Sequence, residues 1–116
     1  REPEPEDAAP APPSEQVIAR YEEGIHLYRT SDMMAAMQAW EEVAAQAPHY
    51  KDVDSKLLRV YRVAGLERYT EGRLQEAVDI WNKALRLDPQ NRQLARYLSQ
   101  AQAKLKRAKT TAVGDG

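Results

Sequence analysis

The sequence predicts an all-α protein, with about five antiparallel helices that form two helix–turn–helix repeats of an α-solenoid and a last helix. Three observations lead to this fold class. Helix-favouring residues dominate residues 14–109, and apolar residues recur there at a spacing of three or four. Short breaks divide this stretch into segments of ordinary helix length. A shift of the chain against itself by 41 residues brings glycine, tryptophan and proline into register.

The starts of the first two helices are marked by capping residues. Ser14 precedes a run with apolar residues at helical spacing, and Ser31 and Asp32 stand before the second such run. Side chains of these types accept hydrogen bonds from the free N–H groups of a first helical turn. The third helix is expected from about residue 51 to residue 70, and the fifth from about residue 91 to residue 109.

The helix ends are marked by proline and glycine. Because the residue before a proline avoids helical dihedral angles, Ala47-Pro48 is expected to end the second helix and Asp88-Pro89 the fourth. Glu71-Gly72 is expected to form the turn between the third and fourth helices. The connections are short, so neighbouring helices should run antiparallel.

Two terminal segments are expected to lie outside the fold. Residues 1–13 hold five of the seven prolines and a net charge of −3, a composition typical of a stiff, disordered linker. Residues 110–116 are polar and are expected to form a disordered tail. An acidic Pro/Ala-rich linker before a small helical unit favours a piece of a larger bacterial multidomain protein. The compartment stays open between the cytoplasm and the bacterial cell envelope or periplasm.

Charge is divided unequally along the chain. The net charge is −4 over residues 14–50 and +7 over residues 51–110, although the whole chain carries only −1. This division favours contacts with specific partners, or head-to-tail contacts between copies, over general binding to polyanions. The basic run at residues 104–109 has the position of cations near a helix C-terminus, and no aromatic residue stands beside it to stack on bases. No nucleic-acid partner is therefore expected, and no apolar run is long enough for membrane insertion.

No catalytic signature is present in the sequence. The absence of cysteine excludes disulfides, thiolate zinc sites and cysteine nucleophiles. Glu23 and His26 have the Glu-x-x-His spacing of di-metal bundles, but the only other histidine, His49, follows Gln46 at that spacing. No phosphate-binding loop, dinucleotide glycine pattern or nucleophile elbow occurs. We therefore expect no enzyme activity, no catalytic residue, no metal and no cofactor.

The 41-residue register indicates an internal repeat. It places Gly24 opposite Gly65, Trp40 opposite Trp81, and Pro48 opposite Pro89, without a gap. These residue types are uncommon and geometrically demanding, so we interpret the chain as two copies of one unit. The first repeat covers about residues 17–50, the second about residues 58–91, and a capping helix about residues 91–109. Both tryptophans are expected in the core.

The second copy resembles the tetratricopeptide repeat. Gly65 fits the close-packing glycine of the first helix, Ala77 the small residue at the helix crossing, and Trp81 the large aromatic residue of the second helix. The remaining matches are Gly72, Ala84 and Asp88-Pro89. The first copy matches at Gly24, Leu27, Ala36, Trp40 and Pro48, and departs from the family pattern at Ser31 and Val43.

The repeat length also departs from the family pattern. Tetratricopeptide repeats recur every ~34 residues, whereas the spacing here is 41. The extra residues lie around His49–Ser55, and at about 3.6 residues per turn they would add nearly two helical turns. We therefore expect a long third helix that protrudes at its start.

The resemblance implies a function in protein–protein interaction. In this family the first helices of successive repeats line a concave groove that holds an extended peptide or a partner helix. Carried over by sequence phase, the partner-binding groove residues are Ile18, Tyr21, Ile25, Tyr28, Arg59, Arg62, Leu66, Tyr69, Gln93, Arg96 and Gln100. Because tyrosine and arginine are frequent at binding hot spots and arginine binds carboxylates, the expected partner carries apolar and acidic residues.

Two other functions stay open at this stage. One is self-association, in which the acidic half of one copy meets the basic half of another to form a homodimer or a chain. The other is weak nucleic-acid binding through the basic last helix. The lysine and asparagine residues with which some tetratricopeptide repeats hold chaperone tails are absent, since Tyr21, Ile25 and Val63 are among the residues at the matching places. A chaperone-tail adaptor is therefore not expected.

Overall fold

A computed structural model describes the backbone of residues 13–115 and the side chains of residues 13–110. The described part of the chain is entirely helical apart from short turns and contains no strand. The helices are α1 (Glu15–Arg29), α2 (Met33–Gln46), α3 (Val53–Thr70), α4 (Leu74–Leu87) and α5 (Arg92–Asp115). Each helix packs against the next one along the chain. The predicted all-α class with five helices is confirmed, whereas the linker predicted for residues 1–13 lies outside the described residues except for its last one.

Capping side chains start the first two helices as the sequence predicts. The Ser14 hydroxyl accepts a hydrogen bond of 3.1 Å from the backbone N–H of Val17. The Asp32 carboxylate accepts one of 3.3 Å from the backbone N–H of Ala35. Each bond satisfies a donor that a helix N-terminus otherwise leaves free. Both helix starts are therefore decided locally.

Proline and glycine end the helices at the predicted places. α2 ends at Gln46 and α4 at Leu87, in each case two residues before a proline. Between α3 and α4, Gly72 has a φ of +80°, a left-handed conformation that glycine adopts without a steric penalty. No side chain would be crowded there, so the backbone conformation alone accounts for glycine at this turn.

The connection between α2 and α3 differs from the expectation. The extra residues of the first repeat were predicted to lengthen the third helix from about residue 51, but α3 begins at Val53. His49 and Lys51 have φ values of 64° and 46°, which an α-helix cannot include. Most of the extra residues therefore form a turn, and α3, with 18 residues, is only three longer than α1.

The last helix is longer than predicted. The sequence pattern predicts an end near residue 109 and a disordered tail over residues 110–116, whereas α5 continues to Asp115. No proline occurs in this stretch. Adding residues to a formed helix costs far less than starting one, so a continuation without proline can stay helical. The tail prediction is therefore corrected over residues 110–115.

The two helical hairpins, α1–α2 and α3–α4, are built around equivalent tryptophans. Trp40 and Trp81 are 2% and 1% exposed. The indole N–H of Trp40 donates to the backbone oxygen of Tyr21 at 3.1 Å, and that of Trp81 donates to the backbone oxygen of Arg62 at 3.5 Å. Both the donors and the acceptors are 41 residues apart in the sequence. The predicted internal repeat thus has a structural counterpart in the packing of each hairpin.

Glycine and tyrosine complete this equivalence. A Cβ atom on Gly24 would lie 2.6 Å from Cδ1 of Trp40, and one on Gly65 would lie 2.6 Å from Cδ1 of Trp81. The indole ring in each hairpin therefore lies against helix backbone, where only glycine leaves room. The Tyr28 ring lies 5.9 Å from Trp40, and the Tyr69 ring lies 5.9 Å from Trp81.

Among the described residues, no helix combines sufficient length with sufficient apolar character to cross a membrane.

Candidate functional site

α1, α3 and α5 contribute to one face of the molecule, which we call the α1–α3–α5 face. α3 and α5 are joined there by side-chain contacts. Nη2 of Arg62 donates to Oε1 of Gln93 at 2.9 Å. Further along the same two helices, Nζ of Lys104 lies 5.1 Å from the centre of the Tyr69 ring. These contacts bring predicted groove residues of the second repeat and the last helix side by side.

α1 is linked to the beginning of α3 on the same face. The Tyr21 hydroxyl donates to the carboxylate of Asp52, the residue before α3. The Tyr21 ring also meets the edge of the Tyr50 ring, with ring centres 5.2 Å apart. The α2–α3 turn is therefore held against α1 by one aromatic residue.

The predicted groove residues differ in accessibility. Six of them are exposed, namely Ile18, Arg59, Arg62, Leu66, Arg96 and Gln100. Four are half-buried, namely Ile25, Tyr28, Tyr69 and Gln93. Tyr21 is buried, with 6% of its surface exposed. The exposed members are the ones that a partner could contact without rearrangement of the helices.

Tyr21 is placed differently from its neighbours in the predicted set. Its hydroxyl is engaged by Asp52 and its ring lies in the core. Burial, followed by the nearby Asp52 carboxylate, raises the pKa of Tyr21 above its usual range. The hydrogen bond from Tyr21 holds the pKa of Asp52 below its usual range, and the Lys56 ammonium 3.4 Å from Asp52 adds to this effect. Tyr21 therefore stabilises the turn rather than presenting a surface to a partner.

Replacement of Tyr21 by phenylalanine should reveal this role through its pH dependence. A carboxyl whose pKa is lower in the folded state stabilises that state above the unfolded pKa of ~3.9, and this stabilisation is lost as pH falls through the folded pKa. We expect Tyr21→Phe to lower the free energy of unfolding by about 1 kcal/mol at pH 7 and to have little effect at pH 2–3. Urea unfolding across this pH range measures the difference. Tyr28→Phe is the matched control, and an equal, pH-independent loss in both variants would contradict the assignment.

The α1–α3–α5 face carries cations without acidic partners. Among the described side chains, no carboxylate lies within ion-pair distance of Arg59, Arg62, Arg96 or Lys104. A guanidinium group has five donors in a planar fork that matches a carboxylate, so these groups can bind one. The positive charge of the second half of the chain is thus available on the face that the sequence analysis predicted for binding.

Several carboxylates pair elsewhere in the structure. The Glu42 carboxylate accepts hydrogen bonds from Nε of Arg20 at 2.9 Å and from Nη2 of Arg20 at 2.7 Å. This pairing lowers the pKa of Glu42. Glu41 accepts from the Tyr61 hydroxyl at 2.7 Å and from Lys83 at 3.1 Å, which links α2 to α3 and α4. These pairs join helices that are packed together and leave the basic face unneutralised.

The Glu23 and His26 pair does not form part of a metal site in the described structure. Glu23 accepts from Nη1 of Arg20 at 2.8 Å, and His26 is exposed. Among the residues with described positions, no group of three histidine or carboxylate side chains could hold a metal ion. The arrangement of Glu23 is that of an ordinary ion pair on a helix surface.

Sequence reasoning missed three lysines that cover aromatic rings, namely Lys51, Lys56 and Lys104. Nζ of Lys51 lies 5.4 Å from the Tyr21 ring centre, and Nζ of Lys56 lies 5.8 Å from the Trp40 ring centre. It also omitted Tyr97 from the predicted groove set. The Tyr97 ring lies on Trp81, with ring centres 5.3 Å apart. The 41-residue register places Lys56 opposite Tyr97 and was the one available signal for these positions.

A cavity opens on this face beside the first tryptophan. Its volume is about 110 Å³, and its lining residues are Tyr28, Trp40, Asp52, Ser55, Lys56 and Arg59. Two predicted groove residues, Tyr28 and Arg59, thus meet here across α1 and α3. The cavity combines aromatic surface with two cationic groups, a pairing suited to an apolar group that has an acidic neighbour.

The sequence matches no protein-family model, and no curated protein is significantly similar to it. The class of protein is therefore defined by fold and face alone. It is an all-α protein of two equivalent helical hairpins and a last helix, with a basic and partly apolar face.

Proposed function

We propose that this chain is a non-catalytic protein-interaction module of the tetratricopeptide-repeat type, carried by a larger bacterial protein. Its ligand is an extended segment or helix of another protein, bound across the α1–α3–α5 face. One observation carries the proposal: exposed apolar and unneutralised cationic side chains occur together on this face. Ile18 and Leu66 are 37% and 45% exposed, and Arg59 and Arg96 lie on the same face without carboxylate partners among the described residues.

Exposed apolar and cationic side chains on the same face support a binding function more strongly than either kind of side chain alone. Single exposed apolar residues are normal on protein surfaces, and so are exposed arginines. Three large apolar side chains are exposed in the described structure, and two of them, Ile18 and Leu66, lie on this face. A partner that carries apolar and acidic residues would remove these side chains from water and neutralise the arginines at the same time. Such a ligand is the one proposed.

The test uses charge reversal on the face against charge reversal elsewhere. The face variant is Arg59→Glu with Arg96→Glu, and the control is Arg86→Glu with Lys106→Glu, which makes the same change in net charge outside the face. Proteins captured from source lysate by the natural sequence are identified, and the bound segment is synthesised and titrated by fluorescence anisotropy. We expect the face variant to bind at least about tenfold more weakly, since each charge-assisted hydrogen bond contributes roughly 1.5–3 kcal/mol.

The control variant should bind within about twofold of the natural sequence, because charges separated by more than about 8 Å are largely screened at physiological ionic strength. Circular dichroism establishes that both variants remain folded. Equal losses in the two variants would show that net charge alone governs binding. Full binding by the face variant would place the interaction elsewhere on the molecule.

Self-association is a second candidate, favoured by the division of charge. Residues 14–50 carry −4 and residues 51–110 carry +7, so the two ends of the helical array bear opposite charge. Contact between unlike ends of two copies would give a head-to-tail chain, or a ring if the rotation closes. Sedimentation equilibrium at low and high salt tests it. A mass that rises with concentration at low salt and falls to the monomer at high salt would favour this candidate over the first.

A further inference from the structure

The two hairpins differ at one position of their otherwise equivalent aromatic clusters. In the second hairpin the Tyr97 ring lies on Trp81, with ring centres 5.3 Å apart and an interplanar angle of 31°. The residue 41 positions earlier is Lys56, and its ammonium group lies 5.8 Å from the Trp40 ring centre. The first tryptophan therefore has a flexible cation where the second has an aromatic ring.

A second difference concerns the side chain that lies over the Tyr69 ring. Lys104 lies over the Tyr69 ring at 5.1 Å. The residue at the matching place in the first repeat is Val63, whose side chain is too short to extend over a neighbouring ring. At these two positions the second hairpin has Tyr97 and Lys104 over its aromatic rings, whereas the first hairpin has Lys56 and Val63.

The cavity beside Trp40 lies where these differences occur. Its volume is about 110 Å³, of the same order as the ~150 Å³ of an engineered apolar cavity that holds benzene. Tyr28 and Trp40 supply apolar wall, and Lys56 and Arg59 supply positive charge. Asp52 also lines the cavity, and its carboxylate is bonded to Tyr21 and paired with Lys56, so Arg59 is the lining cation that has no carboxylate partner among the described residues.

We propose that this cavity is an anchor site for an aromatic side chain of the partner, next to which the partner carries a carboxylate. The aromatic ring takes the place that Tyr97 has in the second hairpin, and the carboxylate pairs with Arg59, which has no carboxylate partner among the described residues. Lys56 can move aside because its charge sits on a flexible four-carbon chain. This inference rests on the proposed function, since it names the group through which the partner is held on the α1–α3–α5 face.

The probe is a pair of synthetic peptides that differ in one side chain. The first is acetyl-Gly-Glu-Phe-Glu-Gly-amide, and the second has alanine in place of phenylalanine. Binding is followed by ¹⁵N-resolved NMR of the full chain, in which the two tryptophans give separate indole N–H signals. We expect the phenylalanine peptide to shift the Trp40 signal and leave the Trp81 signal in place. The alanine peptide should bind about tenfold more weakly, because it buries no ring.

One substitution converts the first hairpin to the arrangement of the second. Lys56→Tyr places an aromatic ring beside Trp40 at the position of Tyr97, so it should close the cavity and keep the fold. We expect at least about tenfold weaker binding of the phenylalanine peptide by Lys56→Tyr. Lys106→Tyr makes the same chemical change on α5 outside this face and should bind as the natural sequence does. Arg59→Glu, which leaves Lys56 in place, should also weaken binding about tenfold.

Four results would overturn the anchor site. They are equal binding of the two peptides, a shift of the Trp81 signal instead of the Trp40 signal, undiminished binding by a folded Lys56→Tyr variant, and no binding of either peptide at millimolar concentration. The proposed function is judged separately, from the partner segment titrated on the Arg59→Glu, Arg96→Glu variant. If that variant loses the partner while Lys56→Tyr retains it, the face binds partners without this anchor.

Discussion

Replacement of Trp81 by alanine should lower the free energy of unfolding by about 3–5 kcal/mol, the range typical of a large aromatic residue removed from a core. Trp81 is 1% exposed and lies against the rings of Tyr69 and Tyr97. Its indole also lies against the backbone at Gly65. Because no neighbour can fill so large a space, the loss combines removed apolar contact with an unfilled cavity. Because the free energy of unfolding of a small domain is about 5–15 kcal/mol, this variant should lose a large part of its stability at 37 °C.

Urea unfolding followed by far-ultraviolet circular dichroism measures this loss. Leu66→Ala is the matched control, because Leu66 is a large apolar residue that is 45% exposed, and it should change the free energy of unfolding by less than about 0.5 kcal/mol. Trp40→Ala should resemble Trp81→Ala, since each tryptophan is buried against an equivalent glycine and an equivalent tyrosine. A loss below about 1 kcal/mol at Trp81 would contradict the packing described here.

Replacement of Gly65 by alanine should destabilise the protein, although the same change usually stabilises a helix. At an open helical position alanine is favoured over glycine by about 1 kcal/mol. At Gly65 the added methyl group would lie 2.6 Å from Cδ1 of Trp81, far inside van der Waals contact. Overpacking of this kind typically costs about 1–3 kcal/mol, so we expect the sign of the effect to be reversed. Gly24→Ala should behave in the same way against Trp40.

A double-mutant cycle with Trp81→Phe separates the clash from other effects of the alanine. The smaller phenylalanine ring leaves space beside residue 65, so Gly65→Ala should cost less in the Trp81→Phe background than in the natural sequence. The expected coupling is about 1–2 kcal/mol, within the range for residues in contact. Additive losses would mean that the methyl group does not meet the indole ring.

Much of the fold could be predicted from local signals in the sequence. The bonds made by Ser14 and Asp32, and the prolines that follow α2 and α4, act within a few residues of their own positions. Residues that the 41-residue register pairs also make matching contacts in the structure, because the same packing of tryptophan on glycine requires the same residue types in both hairpins. The caps and prolines depend on local backbone geometry, and the register depends on residue identity alone, so both can be recognised in the sequence.

The candidate face could be predicted only in part. Helical phase groups Arg59, Leu66 and Arg96 on one face, and all three are exposed. It gave Tyr21 the same role, although Tyr21 is buried and holds the α2–α3 turn through Asp52. Helical phase predicts the side of a helix on which a residue lies. The accessibility of that residue depends on whether a neighbouring segment packs against it.

By itself, the sequence determined the all-α class, the starts of α1 and α2, the ends of α2 and α4, and the equivalence of the two hairpins. Tertiary structure alone decided that residues 48–52 form a turn. It also decided which side chain lies beside each tryptophan, namely Lys56 beside Trp40 and Tyr97 beside Trp81. The physical reason is the range of the interactions. Caps, proline and glycine act on the nearest backbone, whereas the turn and the cavity depend on contacts between residues that lie far apart along the chain.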